Sequence, residues 1–204
     1  LELKSGSATS ASFTEFDDGT ADFMLESFFR IPLGGLPSIT GTITHLRIQD
    51  STTDWTFVVE FTSVAMTARY TGPGGVVIAE SVVSVLDIPL LDNPHMWHFA
   101  FGFSTVSPGV MGLIIYGDGL PLVTTTVTST IIANVPAKPP GFVYTLHIEG
   151  SASQVIRTDE IRLWGSIRTP AEILEYAYKK VEHNQGDIKH CWCMQDVSLS
   201  DMVG

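Results

Sequence analysis

Residues 158–173 read Thr-Asp-Glu-Ile-Arg-Leu-Trp-Gly-Ser-Ile-Arg-Thr-Pro-Ala-Glu-Ile, and this stretch decides the fold. In its first half Ile161 and Leu163 alternate with Glu160, Arg162 and Trp164, so the two sets point to opposite sides of an extended chain. This alternation predicts a strand with one buried face. Glycine and serine then interrupt the pattern, which predicts that the strand ends there.

The second half of the stretch predicts a short helix. Thr169 is suited to the N-cap, Pro170 to the first helical position, and Glu172 to the reciprocal partner of a capping box. Apolar residues then recur at helical spacing, namely Ile173, Ala177 and Val181. We therefore expect one short helix near 170–183, packed through that apolar stripe.

The rest of the chain is a succession of short alternating segments bounded by Gly, Pro and Asp turns. Predicted strands cover residues 23–31, 39–50, 54–62, 64–71, 75–86, 97–103, 109–116, 120–128, 142–149 and 155–164. Gly72-Pro73-Gly74-Gly75 predicts a sharp turn, and Asp118-Gly119 predicts a tight hairpin, because both residues tolerate positive φ. Short strands at near-regular spacing indicate an all-β, two-sheet antiparallel sandwich.

Several motifs resemble those of laminin-G-like (concanavalin A-like) jelly-roll domains. They are the early strand at 22–30, where Phe28 stands in place of the usual Trp, the Trp-His strand at 97–103, the Tyr-x-Asp-Gly segment at 113–123, the Asp-Glu strand with its capped helix, and a closing strand at 187–196. The resemblance implies a concanavalin A-like jelly roll. We expect residues 1–204 to form a single such domain, excised from a longer multidomain chain.

Charge and hydropathy limit the classes of partner. The net charge of −11 argues against nucleic acid as a ligand. No apolar run approaches the ~20 residues that a membrane-spanning helix needs. Only 16% of residues are charged, and the mean hydropathy is +0.23. Either a β-rich composition or a surface buried in a larger assembly explains these values. The family resemblance implies an extracellular or surface-exposed location.

The sequence lacks the residue patterns that hydrolysis requires. Glucanases of this superfamily carry a Glu-x-Asp-x-x-Glu strand, which is absent here. Asp159 and Glu160 are adjacent, so simple alternation points them to opposite faces, where they cannot act together. His98 lies on the small-residue side of its strand, which favours a buried, satisfied histidine over a catalytic base unless a charge partner is present. We predict that the protein is not an enzyme.

Metal binding follows from the resemblance rather than from spacing. Family members often hold calcium with loop carboxylates and carbonyls, which implies a site of Asp159 with Asp17, Asp18 and the carbonyl of Gly19. The alternative is that Asp159 caps its own strand and that residues 17–19 form an ordinary solvated turn. Cys191 and Cys193, with His190, make an incomplete zinc set, so we interpret both cysteines as small apolar residues near a core.

The sequence thus favours a non-catalytic, lectin-like binding and adhesion module that recognises a glycan or a protein through edge loops or the concave sheet. One alternative is a structural module of an extracellular or viral fibre, shell or filament; a glycoside hydrolase is the weakest alternative. Neighbouring domains of the same chain or a larger assembly are further partners. Aromatic residues stack on sugar rings, and the candidates are Trp55, Trp97, Trp164 and Trp192.

Overall fold

The structure is a computed structural model of the chain. It describes residues 6–9, 12, 23–30, 41–50, 52, 55–84, 97–107, 110–117, 120–127, 143–150, 157–177, 179, 181 and 187–192. Within these ranges the chain forms strands and one short α-helix, as the sequence predicts.

Twelve strands and one helix are described, in the following order along the chain. The strands are β1 Gly6–Thr9, β2 Phe23–Arg30, β3 Ile43–Asp50, β4 Thr56–Phe61, β5 Ala65–Gly72, β6 Val76–Ser84, β7 Trp97–Ser107, β8 Val110–Gly117, β9 Leu120–Val127, β10 Tyr144–Gly150, β11 Arg157–Trp164 and β12 Ile188–Trp192, and the helix is α1 Pro170–Ala177. The 3-10 turn Pro73–Gly75 joins β5 to β6. Gly74 and Gly75 there have φ values of 71° and 74°, which explains the glycines of the predicted turn.

The described strands form two antiparallel sheets of six strands each. The first sheet has the order β1-β10-β3-β4-β5-β6, and the second has the order β12-β11-β2-β7-β8-β9. β8 pairs with β9 as the hairpin prediction requires, with Gly117 opposite Leu120. The two turn residues Asp118 and Gly119 lie outside the described residues, so their tight-turn geometry stays a prediction. The all-β, two-sheet sandwich is confirmed.

The main core lies between the sheets and is rich in aromatic residues. Phe29 from β2 packs against Phe61 from β4 at 5.8 Å between ring centroids and 89° between planes, an edge-to-face contact. Tyr70 and Phe103 make a similar contact at 4.8 Å. Edge-to-face pairs are favourable beyond the area that they bury, so these contacts fix how the two sheets face each other.

The helix caps as predicted but ends earlier than residue 183. The N–H of Glu172 donates to the Thr169 hydroxyl at 3.3 Å, and the N–H of Thr169 donates to the Glu172 carboxylate at 2.8 Å. After Ala177 the N–H of Lys179 bonds the carbonyl of Tyr176, three residues back, which tightens the chain out of the α-helix. Val181 is nevertheless buried, as the apolar stripe predicts.

Candidate binding surfaces

The outer face of the first sheet remains accessible to solvent. In β4 and β5 burial alternates residue by residue, with Phe57 and Phe61 fully buried and their neighbours half-exposed. We call the half-exposed, outward set the open face. Its polar members are Thr44, Arg47, Gln49, Thr56, Glu60, Thr67, Arg69, Thr71, Glu80, Thr145 and His147. Nearly all of them can donate or accept hydrogen bonds, so the open face is a polar platform across five strands.

An ion-pair network holds the middle of the open face in place. Arg69 on β5 contacts Glu80 on β6 at 2.5 Å through Nε and Glu60 on β4 at 3.5 Å through Nη1. The hydroxyl of Thr44 on β3 donates to the other oxygen of Glu60 at 3.3 Å. Surface ion pairs of this kind add little to stability. Their effect is to hold side chains in place, because the guanidinium of Arg69 contacts two carboxylates across three adjacent strands.

The outer face of the second sheet is covered instead. Met24, Ala100 and Trp164 on this face are buried beneath α1 and its flanking segments, against Ile173 and Val181. Gly102 belongs to the same face, and a Cβ atom there would lie 2.9 Å from Ile167 and 3.0 Å from Met24. Neighbouring side chains therefore approach the small-residue side of β7 closely.

A buried charge cluster lies on the covered face. The carboxylate of Glu26 is 3.6 Å from Nε2 of His98 and 3.6 Å from Nη1 of Arg162, and all three side chains are at most 1% exposed. Arg162 also pairs with Glu160. His98 therefore has a charged neighbour, the condition under which it was considered as a catalytic base. The His98 side chain is nevertheless buried, as predicted, and its burial separates the ring from dissolved substrates.

Asp159 is the one member of the predicted calcium set that the structure describes, since Asp17, Asp18 and Gly19 lie outside the described residues. Its Oδ1 accepts the N–H of Glu160 at 2.9 Å, and Glu160 has a φ of 43°. The register of β11 shifts here, so the strand contains a bulge. Within the described ranges no three His, Cys, Asp or Glu side chains converge on a metal position. The hydrogen bond from the Glu160 N–H is the kind of local contact expected if Asp159 caps its own strand, the alternative to calcium binding.

The tryptophans differ in accessibility. Trp55, Trp97 and Trp164 are 5%, 8% and 1% exposed, so these three candidates for sugar stacking belong to the interior instead. Trp192 on β12 is only partly buried. Its ring stacks on that of His190 at 5.1 Å between centroids and 16° between planes. Sequence reasoning missed this pair, although a spacing of two residues on a strand places both side chains on one side.

Two further predictions concern Cys191 and the membrane. Cys191 is half-buried and forms no disulfide with any described residue, whereas Cys193 lies outside the described residues. No helix in the described part of the chain is long and apolar enough to cross a membrane.

The fold is shared with several solved structures, although no protein-family profile and no curated protein sequence matches the chain. The binding domain of botulinum neurotoxin serotype G matches with a TM-score of 0.63 and 9% identity, over 87% of this chain and 42% of that one. The binding domain of Paraclostridial Mosquitocidal Protein 1 gives 0.57 and 12%, over 80% and 37%. Mouse laminin alpha1 domains LG4-5 give 0.50 and 10%, over 80% and 40%.

These identities are low, so the likeness concerns the fold. The protein spans about two fifths of the length of each matched chain. The laminin match agrees with the family resemblance of the sequence motifs, and the toxin matches extend it to a second group of domains. The chain has the β-sandwich fold found in toxin binding domains and laminin LG modules.

Proposed function

We propose that the protein is a non-catalytic, lectin-like module that binds a glycan or a protein through the open face of its first sheet. The observation that carries this proposal is the difference between the two outer faces. Helix α1 covers much of one of them, whereas the other presents a row of half-exposed polar side chains. An accessible face on a rigid sheet is where a sandwich has room for a ligand of any size.

The open face is suited to a hydroxyl-rich ligand. Sugar hydroxyls both donate and accept, so a binding surface needs both kinds of partner within a short distance. Glu60 and Glu80 offer acceptors, Arg69 offers donors, and the hydroxyl of Thr44 provides either. Because the ion pairs already restrain these side chains, less conformational entropy is lost when a ligand binds.

The same network disfavours hydrolysis. A glycosidase needs one carboxylate that protonates the leaving group and a second, about 5–10 Å away, that attacks or activates water. Glu60 and Glu80 both contact the guanidinium of Arg69, a geometry that holds charges fixed rather than transferring protons. The buried Glu26 has no access to a substrate. These arrangements support a protein without catalytic activity.

Glycans are the first class of ligand to test. A structure of botulinum neurotoxin type C matches the chain with a TM-score of 0.51 and 12% identity. Cell entry of that toxin depends on interaction with two ganglioside molecules. The match covers 83% of this chain but only 41% of the toxin chain, so no ganglioside position of the toxin is transferred to this protein. We take from it the ligand class and an extracellular or surface location as proposals.

Calcium is a further part of the proposal. Asp159 is half-exposed at the bulge of β11, and only its Oδ1 is engaged by a described hydrogen bond. Asp17, Asp18 and the Gly19 carbonyl would complete the oxygen set. Thermal unfolding with calcium chloride and with a chelator tests this idea. A raised Tm that Asp159→Asn abolishes supports it, and equal Tm values in both solutions contradict it.

A structural module of a larger assembly is the second candidate, and the apolar residues of β6 favour it. Val76 and Val82 are 45% and 48% exposed, and β6 is the last strand of the first sheet in the described order. Exposed apolar residues on a terminal strand are suited to contact with a neighbouring domain or subunit. Light scattering over a range of protein concentrations separates a monomeric binding module from an assembling one.

The main test is a glycan array probed with the folded protein and with Arg69→Ala. The matched control is Lys179→Ala, which also removes the cation of an exposed ion pair, 3.0 Å from Glu175, but Lys179 lies just after helix α1 and not on the open face. We expect selective glycan binding that Arg69→Ala weakens and Lys179→Ala retains. Equal binding by both variants contradicts the open face as the binding surface. Turnover of any arrayed glycan, abolished by changing one carboxylate, contradicts the non-catalytic proposal.

A further inference from the structure

We propose that the ligand of the open face is an acidic glycan, whose carboxylate or sulfate group binds between Arg47 and His147. These two residues form a block of four with Gln49 and Thr145, which we call the basic block. The inference rests on the proposed glycan-binding function and deepens it, because it names the class of glycan and the part of the open face that recognises the anionic group.

The sheet register brings the four residues of the basic block together. In the pairing of β10 with β3, His147 lies opposite Arg47, and Thr145 lies opposite Gln49. All four side chains are half-exposed, whereas the residue between them on each strand is buried, so they share the outward side of the sheet. Opposite Cβ atoms in such a pair are about 5 Å apart, and positions two residues apart along a strand are about 7 Å apart. One sugar ring is therefore large enough to reach all four side chains.

The cation-forming side chains of the basic block are direct cross-strand neighbours. Arg47 carries a permanent positive charge, and His147 carries one when its ring is protonated. Like charges directly opposite each other in a sheet repel, so an anion that contacts both side chains stabilises the pair. A guanidinium has five N–H donors, so Arg47 is able to hold a ligand oxygen in addition to an acceptor from the protein.

The other half of the basic block supplies partners for sugar hydroxyls. The hydroxyl of Thr145 and Nε2 of His147 share a hydrogen bond at 2.9 Å, which restrains both side chains. The side-chain amide of Gln49 both donates and accepts hydrogen bonds. On the other side of Arg47 lies Val58 of β4, a half-buried apolar residue that offers a contact for sugar C–H groups. A ring anchored at Arg47 by its anionic group therefore finds polar and apolar partners around it.

The neighbouring part of the open face disfavours an anion. Arg69 contacts the carboxylates of both Glu60 and Glu80, so this group of three carries two negative charges and one positive charge. Among the described side chains, the cation-forming residues on β10 and β3 are thus separated from a net negative group on β4, β5 and β6. Because like charges across an interface oppose binding, this separation orients an acidic glycan with its anionic group at the basic block.

The acidic residues of β3 and β10 are Asp50 and Glu149. Asp50 is buried, and its carboxylate accepts the N–H of Trp55 at 3.0 Å. Glu149 is paired in the backbone register with Ser7 of β1. The net charge of −11 acts over a longer range, and salt screens exposed charges beyond about 8 Å at physiological ionic strength. Contacts within the basic block therefore decide whether an anionic sugar group binds there.

The test is an array that carries the same glycans in unmodified, sialylated and sulfated forms, probed at physiological ionic strength. We expect the wild type to bind an anionic form about tenfold more tightly than the unmodified glycan, the contribution of one charge-assisted hydrogen bond. Arg47→Gln should remove this preference. Lys179→Gln, which neutralises a cation outside the open face, is the matched control and should retain it. Comparison of the sialylated with the sulfated forms identifies which anion the protein prefers.

NMR titration of the wild type with the anionic glycan that binds most tightly tests the position independently of any variant. We expect the side-chain amide signals of Gln49 and the ring signals of His147 to change on titration. A second variant, His147→Gln, should also reduce the preference for the anionic forms, because it removes the other cation-forming side chain of the block.

Three results overturn the inference and leave the proposed function standing. They are unmodified glycans that bind as tightly as their anionic forms, an anionic preference that Arg47→Gln retains in full, and titration that leaves the signals of Gln49 and His147 unchanged. The absence of binding by any glycan on the array removes the proposed function and the acidic-glycan inference together.

Discussion

Nη1 of Arg162 donates to the backbone carbonyl of Tyr176 at 2.7 Å, and this bond ties the second sheet to the end of helix α1. Nη2 reaches the carbonyl of Lys179 at 2.8 Å. The last carbonyls of a helix have no partner within the helix, and they carry partial negative charge. One buried guanidinium therefore bonds a carbonyl of the last helical turn, the carbonyl of Lys179 and the carboxylate of Glu160, and it lies 3.6 Å from the carboxylate of Glu26.

Replacing Arg162 should destabilise the fold severely. Arg162→Leu leaves the Glu26 carboxylate buried without the neighbouring guanidinium and removes the donor to the carbonyls of Tyr176 and Lys179, so we expect a loss of about 3–5 kcal/mol in the free energy of unfolding. Urea denaturation followed by tryptophan fluorescence measures it. Lys179→Gln, which breaks only an exposed pair, should cost less than about 0.5 kcal/mol. Similar losses in both variants would show that Arg162 is not a central contact.

Removing the helix cap should have a smaller effect. Thr169→Ala deletes the hydroxyl that accepts the N–H of Glu172, and such caps contribute about 1 kcal/mol. Thr169→Ser keeps the hydroxyl and is the matched control. If Thr169→Ser lowers the free energy of unfolding as much as Thr169→Ala does, the stabilisation comes from the methyl group and not from the capping hydroxyl.

The cap also predicts a pH dependence. The N–H and the hydroxyl of Thr169 hold the pKa of the Glu172 carboxyl below its usual value, and Arg168 acts in the same direction. A lowered pKa in the folded state contributes stability above the unfolded value of about 4.3, and this contribution is lost as pH falls through the folded value. The difference in Tm between the wild type and Glu172→Gln should be constant at neutral pH and shrink in acid. A difference that grows in acid contradicts the cap.

The close packing at Gly102 gives a steric prediction. Gly102→Ala places a Cβ atom 2.9 Å from the Cδ1 of Ile167 and 3.0 Å from Met24, inside the buried cluster under the helix. Overpacking of this kind costs on the order of 1–3 kcal/mol. Gly165→Ala is the control, since its Cβ would meet only the end of the exposed Lys189 side chain, which can move aside. Equal Tm values for wild type and Gly102→Ala would mean that the side chains of Ile167 and Met24 pack loosely around Gly102.

The features that sequence predicted well depend on neighbouring residues. The alternation of Ile161 and Leu163 and the capping box of Thr169 and Glu172 are short-range patterns, and both are confirmed. Both sides of β2 carry apolar residues, and Met24 on its outer side is buried beneath the helix. Local propensity and burial pattern therefore account for the strands, the helix start and the covered sheet.

The features that sequence missed depend on how distant strands pair. Glu26, His98 and Arg162 come together because β2 lies between β7 and β11, an order that no single segment encodes. The bulge at Asp159 and Glu160 interrupts the strict alternation from which we inferred that these two carboxylates point to opposite faces. Three of the four tryptophans are buried because aromatic residues supply much of the area that a core removes from water.

The most direct test of the account is an NMR map of where a glycan selected on the array contacts the protein. The account predicts that amide and side-chain signals of the open face change on titration, with Thr44, Glu60 and Arg69 among them, whereas those of helix α1 stay constant. Changes confined to α1, or no saturable change with any arrayed glycan, would contradict a binding module that works through the accessible face of its first sheet.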